Sequence, residues 1–161
     1  MVDEALVALA GAVGRAALAG GARIATAESC TGGMIAAAIT AVAGSSDWFE
    51  CGFVTYSNDA KMRDLGVPAA ALKRFGAVSP EVAHAMAEGA RRVSGAGWAV
   101  AVTGIAGPAG GSPEKPVGTV CLAWSGAAGT ESSRILIPGD RAAIRRESVR
   151  VALQGLLDRL T

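Results

Sequence analysis

Ser29 lies in the segment Thr26-Ala27-Glu28-Ser29-Cys30-Thr31-Gly32-Gly33, between an apolar run from Ala22 to Ala27 and another from Met34 to Ala43. This order predicts a strand that turns into a helix at the glycine pair. A helix start offers free N–H donors and the positive end of the macrodipole. A serine there can attack a carbonyl carbon while neighbouring N–H groups hold the oxyanion. The same N–H groups can equally hold an anion with no reaction.

A nucleophilic serine needs a base. The single histidine, His84, sits two residues from Val82 and two from Met86, off the apolar face of its helix, so a Ser-His-Asp triad is not expected. The chain holds twelve arginines but only three lysines, Lys61, Lys73 and Lys115. A lysine with a lowered pKa is the remaining candidate. Lys61 follows the strand that ends at Tyr56, and the ends of neighbouring parallel strands share one side of a sheet, where ligands bind. Ser29 and Lys61 can therefore meet, although spacing alone also fits Lys61 as a surface helix residue. Lys73, beside Arg74, reads as solvated. Tyr56, the sole tyrosine, reads either as a strand-end packing residue or as a phenol that orients Lys61 or stacks on a ligand ring. Cys30, next to Ser29, is a rival nucleophile, because a helix N-terminus lowers a thiol pKa. Cys51 and Cys121 lie in apolar strand-like runs and read as packing.

Two further groups stand out. Thr103-Gly104-Ile105-Ala106-Gly107-Pro108 follows an apolar run and matches neither a Walker loop nor a dinucleotide fingerprint. It is either a flexible connection or a loop whose glycines let a ligand approach the backbone. Arg141 and Arg145 are one turn apart and extend the stripe of Val149, Leu153 and Leu156. They either snorkel outward or bind a phosphate or carboxylate at the edge of the core.

The elements that must position these residues alternate early and pair late. Helices are expected over 5–18, 31–42, 58–65, 69–75, 79–93 and 140–160. Strands are expected over 22–27, 48–56, 98–103, 117–124 and 132–137, the last two as an antiparallel hairpin. Asn58 or Asp59 is the expected cap of the third helix. Ser79-Pro80-Glu81 marks a helix start by cap, proline and acid. The pattern implies an α/β protein: a three-layer α/β/α sandwich with a mixed, mostly parallel sheet, in a single domain spanning 1–161. Abundant Gly and Ala imply close helix–sheet packing. A net charge of +1 carries no electrostatic footprint of a nucleic-acid binder. No apolar run approaches the roughly 20 residues of a membrane span. The acidic start Met1-Val2-Asp3-Glu4 does not read as a secretory signal. An odd cysteine count fits a reducing compartment, so a cytoplasmic location is expected. No metal site is expected, and the apolar composition makes a homo-oligomer the expected assembly.

TAESCTGG (Thr26–Gly33), GSS (Gly44–Ser46), YSNDAK (Tyr56–Lys61), GAVS (Gly76–Ser79), TGIAGP (Thr103–Pro108) and KPVGT (Lys115–Thr119) occur in order over nearly the whole chain. Together they resemble the CinA C-terminal domain family, also called the nicotinamide mononucleotide deamidase family. The resemblance implies a mixed-sheet α/β/α fold in stand-alone form. It also implies an amidohydrolase that converts nicotinamide mononucleotide to nicotinate mononucleotide and ammonia, without a cofactor. It places a Ser-Lys pair on Ser29 and Lys61 with Tyr56 close by, and the site-lining loop on Thr103 and Gly104. Cys51-Gly52 departs from the small residues expected there. On this basis Lys61 takes the Ser29 proton, N–H groups around Cys30 to Gly33 hold the oxyanion, and Arg141 and Arg145 hold the 5′-phosphate. Glu28, Cys30, Thr31, Gly32, Gly33, Ser46, Thr103, Gly104, Ala106, Gly107, Arg141 and Arg145 are the expected substrate-binding residues. The alternative is a non-catalytic nucleotide or phosphate sensor, or an interaction domain that needs a partner.

Overall fold

The computed structural model describes residues 2–161. Six helices, one 3-10 turn and five strands follow one another as α1 (Glu4–Ala19), β1 (Ile24–Glu28), α2 (Met34–Thr40), the turn Ser45–Asp47, β2 (Phe49–Val54), α3 (Asn58–Leu65), α4 (Ala69–Phe75), α5 (Pro80–Ser94), β3 (Trp98–Gly104), β4 (Thr119–Gly126), β5 (Gly129–Leu136) and α6 (Arg141–Leu160). The strands form one sheet in the order β2-β1-β3-β4-β5. β1 pairs in parallel with both β2 and β3. β4 pairs antiparallel with β3 and β5. The pairs thus divide evenly, and only β4 runs against the other strands.

Alternation along the central strands sends side chains to two separate cores. Ile24, Val100, Val102 and Leu122 join α1, α2 and α6 on one face. Ala25, Ala27, Ala99 and Ala101 join α3, α4 and α5 on the other. The short alanine side chains on the second face let α5 lie close to the sheet. Close approach is explicit at Gly155, where a Cβ would stand 2.3 Å from the Trp124 ring, and at Gly89, where it would stand 2.0 Å from the Leu65 carbonyl oxygen.

Local chemistry sets most boundaries. Ser79 caps α5 through Val82 N–H, with Pro80 in the first turn. Asp140 caps α6 through Ala143 N–H. α3 is capped by Ser57, whose hydroxyl accepts from Ala60 N–H, rather than by Asn58 or Asp59. Leu18 and Val93, apolar residues of α1 and α5, are exposed. Both sit in the last turn of their helices.

The larger departure concerns α2. It begins at Met34, with Gly33 at φ +100 before it, instead of at Thr31. The cause is Glu28, the last residue of β1, which is fully buried. Its carboxylate accepts from Thr31 Oγ1–H at 2.6 Å, Ile35 N–H at 2.9 Å and Ala36 N–H at 3.1 Å. An anion supplied by the chain itself thus occupies the positive end of α2.

Candidate active site

The carboxyl ends of β1, β2 and β3 lie on one side of the sheet, and a pocket of about 290 Å³ opens there. Ser29 follows β1 directly, and its N–H donates to Val102 O of β3 at 2.9 Å. Lys61 reaches the same point from the second turn of α3. Its Nζ lies 3.0 Å from Ser29 Oγ, and it donates to the carbonyls of Thr55 at 2.7 Å and Tyr56 at 3.4 Å. Lys61 is 1% exposed. Among the described residues it forms no ion pair. Burial holds its pKa below the usual lysine value, against a smaller opposing effect of the Cys30 thiol.

This geometry has a chemical consequence. A neutral amine has two hydrogens and one lone pair. The two carbonyls are acceptors only, so they take the two hydrogens. The lone pair is then left for the Ser29 hydroxyl, which can donate its proton across 3.0 Å. A neutral Lys61 is therefore arranged to receive the Ser29 proton.

Cys30 lines the pocket but behaves opposite to expectation. Burial pushes its thiol up to about 11, and the nearby Glu28 carboxylate adds to the rise. The helix end that would have stabilised a thiolate is occupied by Glu28. His84 lies away from the pocket on α5, 3.0 Å from Glu88 one turn later.

The far wall comes from β3 and the loop after it. Thr103, Gly104, Ala106 and Gly107 all line the pocket. Thr103 Oγ1–H donates to Ala77 O at 2.9 Å, which fastens the 76–79 turn against the pocket. Lys115 Nζ donates to Phe75 O at 2.6 Å and Ser79 Oγ–H to Gly76 O at 2.8 Å, holding the same turn from either side. Gly104 must be glycine for a steric reason: a Cβ would stand 2.9 Å from Val120 Cγ2, 3.0 Å from Thr119 O and 3.2 Å from Cys30 Sγ. Asn58, Ala77, Val78, Ile105, Ala109 and Gly110 also border the pocket and were not among the expected site residues. The GAVS, YSNDAK and TGIAGP segments were signals for Ala77, Val78, Asn58 and Ile105; Ala109 and Gly110 are placed by the loop that follows β3.

Arg141 stands at the mouth. Its Nη1 donates to Gly107 O at 2.8 Å and its Nη2 to the Tyr56 hydroxyl at 3.3 Å. Tyr56 is 63% exposed. It is therefore not a buried packing residue, and its phenol turns to Arg141 while its backbone carbonyl meets Lys61.

Six expected binding residues are placed elsewhere. Glu28 and Thr31 are buried and bonded to each other beneath the loop. Gly32 and Gly33 shape the turn at φ +56 and +100 without bordering the pocket. Gly32 N–H is engaged by Ser29 O at 3.0 Å. Ser46 precedes β2, at the opposite end of the sheet, where its carbonyl accepts from Arg23. Arg145 points its guanidinium at the loop backbone: Nε donates to Cys30 O at 3.1 Å and Nη2 to Thr31 O at 3.2 Å.

A larger cavity of about 500 Å³ lies at the other end of the sheet, between the end of α5 and the β4–β5 turn. Its Arg91 and Arg92 are bonded to the carbonyls of Gly97 and Leu65. Its hydroxyls are bonded among its own lining groups: Thr130 Oγ1 lies 3.1 Å from Glu88 Oε1 and 2.8 Å from Ser125 Oγ. Among the described residues there is no group of three or more His, Cys, Asp or Glu side chains suited to a metal ion. Nor is any helix long and apolar enough to cross a membrane.

Residues 6–160 match the CinA C-terminal domain. The chain belongs to that family. A protein from Pseudomonas putida, named nicotinamide-nucleotide amidohydrolase PncC, is 60% identical over 84% of this chain and 85% of its own. Its namesake from Escherichia coli K12 is 52% identical over 97% and 95%. A longer CinA-like protein from Anaeromyxobacter dehalogenans is 56% identical, but the match covers only 33% of it. The crystal structure of the competence/damage-inducible protein CihA from Agrobacterium tumefaciens superposes with a TM-score of 0.95 at 46% identity, over 98% of this chain and 97% of that one. The first two relatives place this CinA-domain protein among the amidohydrolases.

Proposed function

We propose that the protein hydrolyses the carboxamide of nicotinamide mononucleotide, giving nicotinate mononucleotide and ammonia, through an ester on Ser29. The names of the relatives support the substrate. The observation that carries the mechanism is the buried Lys61 amine, 3.0 Å from Ser29 Oγ, with both other partners carbonyls.

In the first half, the Ser29 hydroxyl proton passes to Lys61 Nζ as Oγ bonds to the carboxamide carbon. The carbonyl oxygen becomes an oxyanion, and the Cys30 N–H, next to the nucleophile, is the donor assigned to it. The donors of α2 further along the loop are not used, because Glu28 holds them. The C–N bond then breaks, and the Lys61 proton leaves on ammonia. In the second half, water attacks the ester and gives a proton to Lys61. The Oγ–C bond breaks, and that proton returns to Ser29. At the mouth, Arg141 exchanges its contact with the Tyr56 hydroxyl for the 5′-phosphate, and the exposed Tyr56 ring packs on the ligand. Arg145, engaged by two carbonyls, is not assigned to the phosphate.

Ammonia release from nicotinamide mononucleotide by wild type and Ser29→Ala tests this reading, together with mass spectrometry of acid-quenched enzyme during turnover. The expected result is loss of turnover in Ser29→Ala and an acyl adduct on Ser29 in wild type. Undiminished turnover in the variant overturns the mechanism. Wild type that binds the nucleotide but releases no ammonia favours a sensor.

A further inference from the structure

The segment between Ser29 and Met34 is gripped from two sides. Below it, the Glu28 carboxylate holds Thr31 Oγ1 and the first N–H groups of α2. Above it, Arg145 of α6 places Nε 3.1 Å from Cys30 O and Nη2 3.2 Å from Thr31 O. The guanidinium fits two successive carbonyls with its two-pronged donor face, which a single ammonium cannot match.

A trans peptide is planar, so the C=O of one residue and the N–H of the next point in opposite directions. Thr31 C=O is held by Arg145 and by Met34 N–H at 3.0 Å, which fixes the direction of Gly32 N–H. That N–H donates to Ser29 O at 3.0 Å, closing a tight turn. Holding Ser29 C=O inside the turn directs the Cys30 N–H to the outer side of that turn, and Ser29 and Cys30 both border the pocket. Two rigid peptides and one hydrogen bond thus connect the Arg145 guanidinium to the donor beside the nucleophile. Gly32 and Gly33 both have positive φ, so this stretch lies in backbone space where glycine is freest to reorient. A Cβ on Gly32 would stand 3.4 Å from Arg145 Nη2, so a side chain there would meet the guanidinium.

We propose that Arg145 is a positioning residue of the hydrolysis: through the Thr31 and Ser29 carbonyls it orients the Cys30 N–H toward the oxyanion. The proposal rests on the reading of Ser29 as nucleophile. It also changes the role expected of Arg145 from its helical spacing with Arg141, because a brace acts on kcat whereas a phosphate ligand acts on KM.

The test is steady-state ammonia release from nicotinamide mononucleotide by full-length Arg145→Ala, Arg145→Gln and Arg145→Lys, each checked for folding by circular dichroism. Losing one oxyanion donor typically lowers kcat by ~10²–10³. That loss is expected in Arg145→Ala, with KM within about threefold of wild type, and added guanidinium ion is expected to restore part of the rate. Arg145→Lys, able to hold one carbonyl, should lie between Arg145→Ala and wild type, and it carries the test if Arg145→Ala does not fold. An unchanged kcat with raised KM makes Arg145 a phosphate ligand and overturns the proposal. An equal loss in Arg145→Lys and Arg145→Ala, with no guanidinium rescue, also overturns it. Labelling of Ser29 by a serine-directed fluorophosphonate, compared in wild type and Ser29→Ala, separates the two levels. Absence of Ser29 labelling together with an active Ser29→Ala removes the nucleophile itself. A Ser29-dependent enzyme with an indifferent Arg145 removes only the brace.

Discussion

Replacing Lys61 by methionine separates catalysis from stability. Methionine is similar in length and apolar, so it fills the same volume without the amine. Two energy terms then oppose each other. Thr55 O loses its 2.7 Å donor, and Tyr56 O and Ser29 Oγ lose longer contacts. An unsatisfied buried polar group costs about 1–3 kcal/mol. Against this, a side chain only 1% exposed no longer carries a charge out of water, a penalty of several kcal/mol when the group is protonated. The terms are comparable, so at neutral pH the melting temperature of Lys61→Met should stay within about 5 °C of wild type, given roughly 2–4 °C per kcal/mol for a chain of this size. Turnover should behave differently. A positioned base contributes about 10²–10⁴-fold, and its loss should reduce ammonia release at least that far. The pH dependence carries the same signature. Burial lowers the folded-state pKa of Lys61 below the ordinary lysine value of 10.5. Between the two values the unfolded chain binds the extra proton, so wild-type stability gains with pH across that window. Lys61→Met lacks this gain. The wild-type rate should likewise rise with pH as Lys61 deprotonates, below the ordinary lysine range, and the residual rate of the variant should not follow that curve. Differential scanning calorimetry from neutral to alkaline pH, with ammonia assays on the same samples, measures both. A variant that keeps more than about a tenth of the wild-type rate would refute the assignment of Lys61 as base. A melting loss well beyond 10 °C would show that the amine mainly holds the fold.

Three other outcomes are expected. Glu28→Ala leaves Ile35 N–H, Ala36 N–H and the Thr31 hydroxyl without their acceptor; at about 1–3 kcal/mol per buried group, urea unfolding should show a loss of at least about 3 kcal/mol. Cys30→Ala should retain most of its turnover, and iodoacetamide should inactivate wild type only slowly at neutral pH, because the thiol sits at about 11 and is almost entirely protonated there. Arg141→Ala should raise KM for nicotinamide mononucleotide about tenfold or more with little change in kcat, as loss of a charge-assisted phosphate contact does; a kcat defect with unchanged KM would move Arg141 out of the phosphate role.

Local sequence determined much of the framework. The limits of α3 and α4 follow from adjacent residues alone, and Ser79-Pro80-Glu81 marks the start of α5 by cap, ring and charge. The absence of a usable histidine and the scarcity of lysines singled out Lys61, and strand order brought it to Ser29. The expected start of α2 was wrong because Glu28 caps that helix from seven and eight residues upstream. No short-range capping pattern encodes such a reach. The same carboxylate removed the anion site that a glycine pair before a helix suggests, while burial, with a smaller contribution from that carboxylate, reversed the expected shift of Cys30. Helical spacing correctly grouped Arg141 with Arg145 on one stripe, but not what each would meet. Arg141 reaches the pocket mouth, whereas Arg145, one turn on, meets two loop carbonyls more than a hundred residues away in sequence. Residue types and their order therefore determined which groups could react. Only the packing of α6 and β1 around one loop decided which donors were free, because that depends on where distant charged side chains find their partners.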